Sequence, residues 1–180
     1  MTQTQLLSLA AVVACSSLLL WYRRSSGSDQ AFLPIPSTNT DYIDMDELLN
    51  ALTAPPRGVR NNNPGNIEDN GTPWRGRVGN DGRFIVFDNP VNGIRAISRI
   101  LDTYSSNGFT TLEKIISRWA PPVENNTESY IQHAEKALKL TRYTPIGEQH
   151  KAALIKVIIQ HENGVQPYSD KVIYDGIAAA

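Results

Sequence analysis

The stretch ALIKVIIQHENGVQPYS, residues 153–169, decides the fold, because it is typical of the end of an apolar helix. Its buried face is defined by isoleucines at helical spacing: Ile155, Ile158 and Ile159. Glu162 lies seven, four and three residues beyond them and therefore falls on the same face. Gly164 follows, at the position where glycine commonly ends a helix. The pattern predicts a core helix over residues 148–162 that ends in a carboxylate.

A carboxylate on an apolar face is costly to ionise unless it is paired. Burial raises the pKa of such a group and keeps it protonated near neutral pH, which is what a general acid requires. A second interpretation is a last-turn glutamate that bends into solvent or accepts a hydrogen bond from a loop amide. The spacing alone leaves both open, and the first makes Glu162 the candidate catalytic acid.

The rest of the chain predicts a mainly α domain with a small β-sheet, an α+β fold. Three further stripes of residues have helical spacing: Ile94, Ile97, Ile100, Leu101 and Tyr104; Leu112, Ile115, Ile116 and Trp119; Tyr130, Ile131, Ala134 and Leu138. Asn126 or Thr127 is suited to cap the third of these helices, and Ser169 a final one. Residues 57–90 are dense in Asn, Gly and Pro and include the alternating run RFIVFD, which predicts loops and a small antiparallel sheet.

The N-terminal segment has a different composition. Residues 6–22, LLSLAAVVACSSLLLWY, carry no charge and are followed by two arginines, which is near the ~17-residue minimum for a membrane span. We expect residues 1–24 to be an uncleaved membrane anchor, with a lipoprotein or signal peptide, or a buried core helix, as the alternatives. The Ser- and Pro-rich residues 25–40 predict a flexible linker, which leaves residues 41–180 as one domain. The arginines favour a cytoplasmic location for that domain.

The composition argues against several classes of partner. The 17 basic and 18 acidic residues give a formal charge of −1 without a basic stripe, so no nucleic-acid partner is expected. The single Cys15 excludes an internal disulfide framework and a cysteine-based zinc site. None of the three histidines, His133, His150 and His161, stands in an H-E-x-x-H pair, so we expect neither a metal nor a cofactor.

The residues around Glu162 resemble the catalytic helix of lytic transglycosylases and goose-type lysozymes. In those enzymes an apolar helix ends in Glu-Ser-Gly, and a proline follows two or three residues later. Glu162, Asn163, Gly164 and Pro167 stand in that order here, with asparagine in place of serine. The run ENNTESYIQHAEKAL resembles a second element of these enzymes, whose tyrosine lies by the active site and aligns with Tyr130. RNNNPGNI and RFIVFDNPVNGIRAISRILDTY resemble parts of peptidoglycan glucosaminidases.

Residues 57–180 more closely resemble phage and prophage proteins described as virion-associated, muralytic and lysozyme-like. The resemblance is carried by RGVRNNNPGNI, WAPPVENNTESY and HENGVQPYSD. It implies a lysozyme-like catalytic domain of the lytic transglycosylase type, circularly permuted because the glutamate helix follows the sheet region. An unpermuted order would place the catalytic group near Glu47, 15 residues before Asn62. Glu47 is off its helix's apolar stripe, so it is the rival and Glu162 is favoured.

The resemblance also suggests what other residues do. Glycosidases usually use a second carboxylate, and the sheet region offers Glu68, Asp69 and Asp81. The sequence favours solvated turn residues as the explanation for each of them. Transglycosylases manage with one glutamate. Residues that could contact the sugar, or else serve only turn chemistry or core packing, are Asn62, Asn63, Asn66, Tyr130, Tyr168 and Trp74.

These observations predict a membrane-anchored enzyme that cleaves peptidoglycan, as a lytic transglycosylase or lysozyme-type glycosidase. We expect it in a phage virion with an internal membrane, where it acts during penetration of the host wall. Its expected partners are glycan strands, the lipid bilayer through residues 6–22, and other virion proteins. The alternative is a non-catalytic structural virion membrane protein whose lysozyme-like domain binds glycan. A bacterial envelope enzyme at the inner membrane or periplasm would need the opposite orientation.

Overall fold

The structure, a computed structural model, describes residues 53–122 and 126–180. Within them the helices and strands follow in the order α1 (Arg57–Arg60), β1 (Arg77–Asn80), β2 (Ile85–Phe87), α2 (Pro90–Ser106), α3 (Leu112–Trp119), α4 (Thr127–Leu138), α5 (Glu148–Asn163) and α6 (Asp170–Ala178). The predicted combination of several helices with one small antiparallel sheet is confirmed.

The helices begin where side chains can bind free backbone N–H groups. At four of them an N-cap side chain accepts a hydrogen bond from the first turn: Asn89, Thr111, Asn126 and Ser169. The N-cap of helix α5 is instead Gly147, whose N–H donates to Nδ1 of His150 at 3.2 Å. It ends at Gly164, which adopts the left-handed region with φ of 71°. The predicted caps and the predicted terminating glycine are therefore confirmed.

Helix α5 is the centre of the core, because α1, α2, α4 and α6 all pack on it. Its inward residues are completely buried: Leu154, Ile155, Ile158 and Ile159. The stripes of α2, α3 and α4 supply the surrounding apolar residues, as their spacing predicts, except for Ile100, which is partly exposed and lies outside this core. The core thus forms around the helix that carries Glu162.

The two strands form an antiparallel hairpin in which Asn80 pairs with Ile85 and Arg77 with Phe87, with a bulge between them. Ile85 and Phe87 alternate inward and are buried against Ala96 of α2. The hairpin therefore lies against one side of the helical core through β2.

The Asn-rich loop, residues 61–66, joins the sheet to the helices. Asn62 and Asn66 have φ of 51° and 46°, in the left-handed region that asparagine tolerates better than most residues. The loop runs so close to α2 that a Cβ on Gly93 would lie 2.0 Å from the backbone oxygen of Asn62. Glycine at that position is what lets the loop pass over α2.

The expected fold class requires a correction. It includes an N-terminal transmembrane helix, whereas no helix within residues 53–122 and 126–180 is long and apolar enough to cross a bilayer. The segment to which that helix was assigned, residues 6–22, lies outside the described residues. So do the proposed anchor (1–24), the linker (25–40) and Glu47. The lysozyme-like character of the domain and its circular permutation stay predictions.

Candidate active site

Glu162 is in the last turn of α5, where it meets the end of α3 and the Asn-rich loop. Its Oε1 accepts a hydrogen bond from the indole Nε1–H of Trp119 at 3.0 Å. The side-chain amide of Asn66 is 3.4 Å from Oε2 and 3.3 Å from the main-chain oxygen of the same glutamate. Both donors are uncharged, and in the described part of the chain no cation forms an ion pair with this carboxylate.

Burial dominates the electrostatics of this carboxyl group and raises the pKa of Glu162. The hydrogen bonds from Trp119 and Asn66 lower that pKa by a smaller amount, because they stabilise the ionised form. The site therefore favours retention of the proton to higher pH than for an exposed glutamate. Glu162 is thus partly buried, as the first interpretation requires, and it also accepts a hydrogen bond from a loop amide, as the second requires. Its role as a catalytic acid stays a prediction.

The donors are brought to Glu162 by close packing of the loop. A Cβ on Gly65 would lie 3.0 Å from Cζ2 of Trp119, so glycine lets the loop approach the indole. Trp119 closes the apolar stripe of α3, and the sequence indicated only a core role for it. The sequence feature that could have indicated a polar contact is the indole N–H of this tryptophan, because that group generally finds an acceptor when the ring is buried.

Asn163, where the resembling enzymes have serine, ties α5 to the loop. Its buried side chain donates to the backbone oxygen of Pro64 at 2.7 Å and to that of Ile159 at 3.0 Å. Gly58 of α1 lies directly against it, since a Cβ there would be 2.5 Å from Oδ1 of Asn163. This asparagine thus fixes the loop beside Glu162.

The two predicted cleft tyrosines have buried hydroxyl groups that lack a hydrogen-bond partner among the described residues. Tyr130 of α4 is 1% exposed. Burial raises its pKa well above the ordinary value, and the negative charge of Glu162 raises it further. Burial also raises the pKa of Tyr168, which follows α5. Both phenols therefore remain protonated and can donate a hydrogen bond.

The predicted sugar-binding asparagines are engaged within the protein. Asn63 is fully buried, and its amide donates to the backbone oxygens of Ile67 and Ile85 at 2.9 Å each. The amide of Asn62 donates to the backbone oxygen of Phe87 at 3.1 Å. These two hold the loop on β2, whereas Asn66 holds Glu162.

The three candidate second carboxylates lie on and around the hairpin, each paired with an arginine: Glu68 with Arg83 at 2.8 Å, Asp69 with Arg77 at 2.6 Å and Asp81 with Arg57 at 2.6 Å. The hydrogen bond from Arg77, together with one from Asn80, lowers the pKa of Asp69 to about 2. The hydrogen bond from Arg57 holds the pKa of Asp81 far below its usual range. None of the hydrogen bonds in the described residues joins these groups to Glu162.

Trp74 is partly buried against the small cluster of Ile85, Phe87 and Ala96. Two concavities are present elsewhere: one of about 390 Å³ at the beginning of α5, and one of about 350 Å³ between α4 and α5. Neither is lined by Glu162. The structure therefore brings together Glu162, Asn66 and Trp119. Tyr130 is close enough that the negative charge of Glu162 raises its pKa.

The chain is similar in sequence to a phage protein. The chain is 41% identical over 126 residues to Protein P5 of Pseudoalteromonas phage PM2, an alignment that covers 67% of this chain and 79% of that protein. No protein-family model matches the chain.

Proposed function

The chain belongs to the family of Protein P5 of Pseudoalteromonas phage PM2, and from that premise we propose that it is a peptidoglycan-cleaving enzyme of a phage particle. Glu162 is its general acid. The reaction is that of a lytic transglycosylase, and its use is penetration of the host cell wall. Glycan strands are the substrate, and other virion proteins hold the enzyme in the particle.

The observation that carries this proposal is the environment of Glu162. A carboxyl group that touches an indole N–H and an amide, and whose pKa burial raises, is suited to protonate a leaving oxygen. The same arrangement is unfavourable for stability, because the ionised form is poorly compensated. Functional sites are where such unfavourable placements concentrate.

The proposed reaction uses this one carboxyl group twice. Glu162 first gives its proton to the glycosidic oxygen as the bond from that oxygen to the sugar C1 breaks. The resulting carboxylate then takes the proton of the C6 hydroxyl of the same sugar, whose oxygen bonds to C1. The products are a shortened strand and a 1,6-anhydro end, and no water is consumed. An internal hydroxyl needs little further positioning, because it is attached to the reacting sugar.

The state of the other carboxylates favours this reaction over hydrolysis. A hydrolase of the usual type needs a second carboxylate across the scissile bond. Asp69 and Asp81 are instead bound to Arg77 and Arg57 on the hairpin, and Glu68 to Arg83. Glu162 therefore acts without a carboxylate partner from that region.

The test is the digestion of purified cell walls by the full-length chain. We expect release of soluble muropeptides by the wild type and by Glu148→Gln, a matched change at an exposed position of α5 whose side chain is 79% exposed. Glu162→Gln abolishes release while the far-ultraviolet circular dichroism stays unchanged. Mass spectrometry of the products then shows anhydro ends, one water lighter than reducing ends. Full activity of a folded Glu162→Gln protein contradicts the proposal.

A second function has one observation in its favour. Both carboxylate oxygens of Glu162 already accept hydrogen bonds, and neither concavity described above contains Glu162. These facts suit a structural virion protein that binds glycan without cleaving it. Co-sedimentation with cell walls, in the absence of muropeptide release by the wild type, would favour this function.

A further inference from the structure

Two histidines from neighbouring helices meet beside the candidate site. Nδ1 of His133 on α4 is 3.4 Å from Nδ1 of His161 on α5. The ring of His161 stacks on that of Tyr130, with centroids 3.5 Å apart and planes inclined by 12°. His161 also directly precedes Glu162 in the chain. The pair is therefore connected to Glu162 through the backbone of α5, and it packs on Tyr130, whose pKa the charge of Glu162 raises.

The two rings meet edge to edge. Their centroids are 5.7 Å apart, which is close to the largest separation possible, namely the 3.4 Å between the nitrogens plus the two distances from nitrogen to ring centre. The two Nδ1 atoms therefore point at each other along nearly one line. A hydrogen bond in this geometry requires one Nδ1 to carry a proton and the other to be bare.

The surroundings identify His133 as the donor. It lines the concavity of about 350 Å³ between α4 and α5, where water can hydrate a charged ring. The ring of His161 stacks on that of Tyr130. Burial lowers the pKa of His161 to about 4, and the positive charge of His133 lowers it further. His161 is thus the acceptor in this pair, and its ring stays neutral.

We propose that the His133–His161 hydrogen bond is a positioning element of the site: it keeps His161 neutral and stacked on Tyr130, and so preserves the proton on Glu162. This inference rests on the acid role proposed for Glu162. A cation at position 161 would stabilise the neighbouring carboxylate and lower its pKa. The acid would then be lost at a pH where the wild type retains it.

The other ionisable groups around the pair do not add an uncompensated charge next to Glu162. Tyr130 of α4 and Tyr168 after α5 have raised pKa values and remain neutral. Lys156 of α5 lines the same concavity as His133, and it is paired with Asp170 of α6 at 2.7 Å. The charge of Lys156 is therefore offset, and the charge state of His161 sets the local charge next to Tyr130.

Two substitutions at one position separate the hydrogen bond from simple packing. His133→Gln keeps an N–H donor for His161, whereas His133→Ala removes it and opens the pair to the concavity. Nuclear magnetic resonance titration of the full-length chain follows the His161 imidazole and the Glu162 carboxyl carbon. In His133→Ala we expect His161 to titrate at higher pH, moving from about 4 towards 6.5. The Glu162 titration then moves to lower pH, and His133→Gln leaves both close to wild type.

The proposal is overturned if Glu162 titrates identically in His133→Ala and the wild type although His161 has moved. It is also overturned if the Gln and Ala variants shift Glu162 equally. His161→Phe provides a second measurement, because phenylalanine preserves a stacked ring that cannot be charged. The Glu162 titration in that variant stays at least as high as in the wild type, and a decrease contradicts the proposal. These titrations need no substrate, so they remain informative even if Glu162→Gln leaves wall lysis intact.

Discussion

The hairpin and the end of α5 both contain carboxylates, but their pKa values are shifted in opposite directions. Asp81, on the hairpin, accepts two hydrogen bonds from the guanidinium of Arg57 and two from backbone N–H groups of its own turn. Its pKa lies far below the usual range. Among residues 53–122 and 126–180, the hydrogen-bond donors to the Glu162 carboxylate are neutral groups, and burial raises the pKa of Glu162.

The difference teaches that the partner of a carboxylate matters as much as its burial. An arginine supplies a full positive charge and a matching pair of donors, so the ionised form is favoured and the group becomes structural. An indole N–H and an amide orient the carboxyl group but compensate its charge poorly. Asp69 and Asp81 are therefore favoured in the ionised form on the hairpin, whereas burial favours retention of the proton on Glu162, as the proposed acid role requires.

The largest expected effect separates these roles with two matched substitutions. Glu162→Gln reduces wall lysis by roughly 10²–10⁴-fold, the usual contribution of a general acid. Asp81→Asn keeps lysis but lowers the free energy of unfolding, because Arg57 and Asn61 lose their charged acceptor. Muropeptide release and urea unfolding measured on the same preparations test both halves. Equal loss of lysis in the two variants would remove the distinction between the regions.

The sign of the stability change in Glu162→Gln is also expected. A glutamate whose pKa is raised in the folded state binds its proton more tightly there than in the unfolded chain. Its contribution to the free energy of unfolding is most favourable below the pKa that it has in the unfolded chain. That contribution decreases as the pH rises through the higher pKa that it has in the folded protein. At neutral pH the neutral glutamine avoids that loss, so the variant unfolds at the same or higher urea concentration. A marked decrease would show that the carboxylate contributes to stability.

The next largest effect tests the packing that brings the two regions together. Gly58→Ala places a methyl group 2.5 Å from Oδ1 of Asn163 and 2.6 Å from Oδ1 of Asn66. Relief requires the Asn-rich loop to move away from α5, which costs about 1–3 kcal/mol of unfolding free energy. Gly79→Ala in β1 is the control, because nothing lies within 4 Å of its added Cβ. Urea unfolding compares the two, and equal stability would mean that the loop yields without cost.

Much of the fold follows from local signals. The spacing of the isoleucines predicts α5 and places Glu162 on its inner face, and Gly164 ends the helix as expected. Asn126 and Ser169 cap α4 and α6 because their side chains can reach backbone N–H groups two or three residues later. These features depend on neighbours in the chain, and a sequence displays such neighbours directly.

The partners of Glu162 could not be predicted in the same way. Trp119 is 43 residues away and Asn66 is 96 residues away, and each contact exists only after three elements have packed. The Asn-rich loop indicated turn chemistry and sugar contact equally. Only the packed structure shows that Asn63 is satisfied by Ile67 and Ile85 while Asn66 turns to the glutamate. The pairing of Arg57 with Asp81 likewise depends on how α1 meets the hairpin.

A smaller effect is expected from Trp119→Phe, which removes one of the neutral donors to Glu162. The indole hydrogen bond lowers the pKa of Glu162, so its loss raises that pKa and shifts the alkaline limb of lysis to higher pH. A lost hydrogen bond of about 0.5–1.5 kcal/mol corresponds to a decrease in lysis of about tenfold or less. A pH profile of muropeptide release measures both quantities. An alkaline limb that moves to lower pH would contradict the assigned role of Trp119.

The smallest effect concerns the hairpin, and it has the opposite dependence on pH from that of Glu162. The pKa of Asp69 is lowered from 3.8 to about 2 by its hydrogen bonds with Arg77 and Asn80. Its stabilising contribution is therefore present above pH 3.8 and is lost as the pH falls towards 2. Because such ion pairs near the surface contribute little, Asp69→Asn lowers the urea midpoint only slightly at neutral pH. The difference in urea midpoint between variant and wild type disappears near pH 2. A difference that persists there would show that the shape of the Asp69 side chain, and not its charge, stabilises the hairpin.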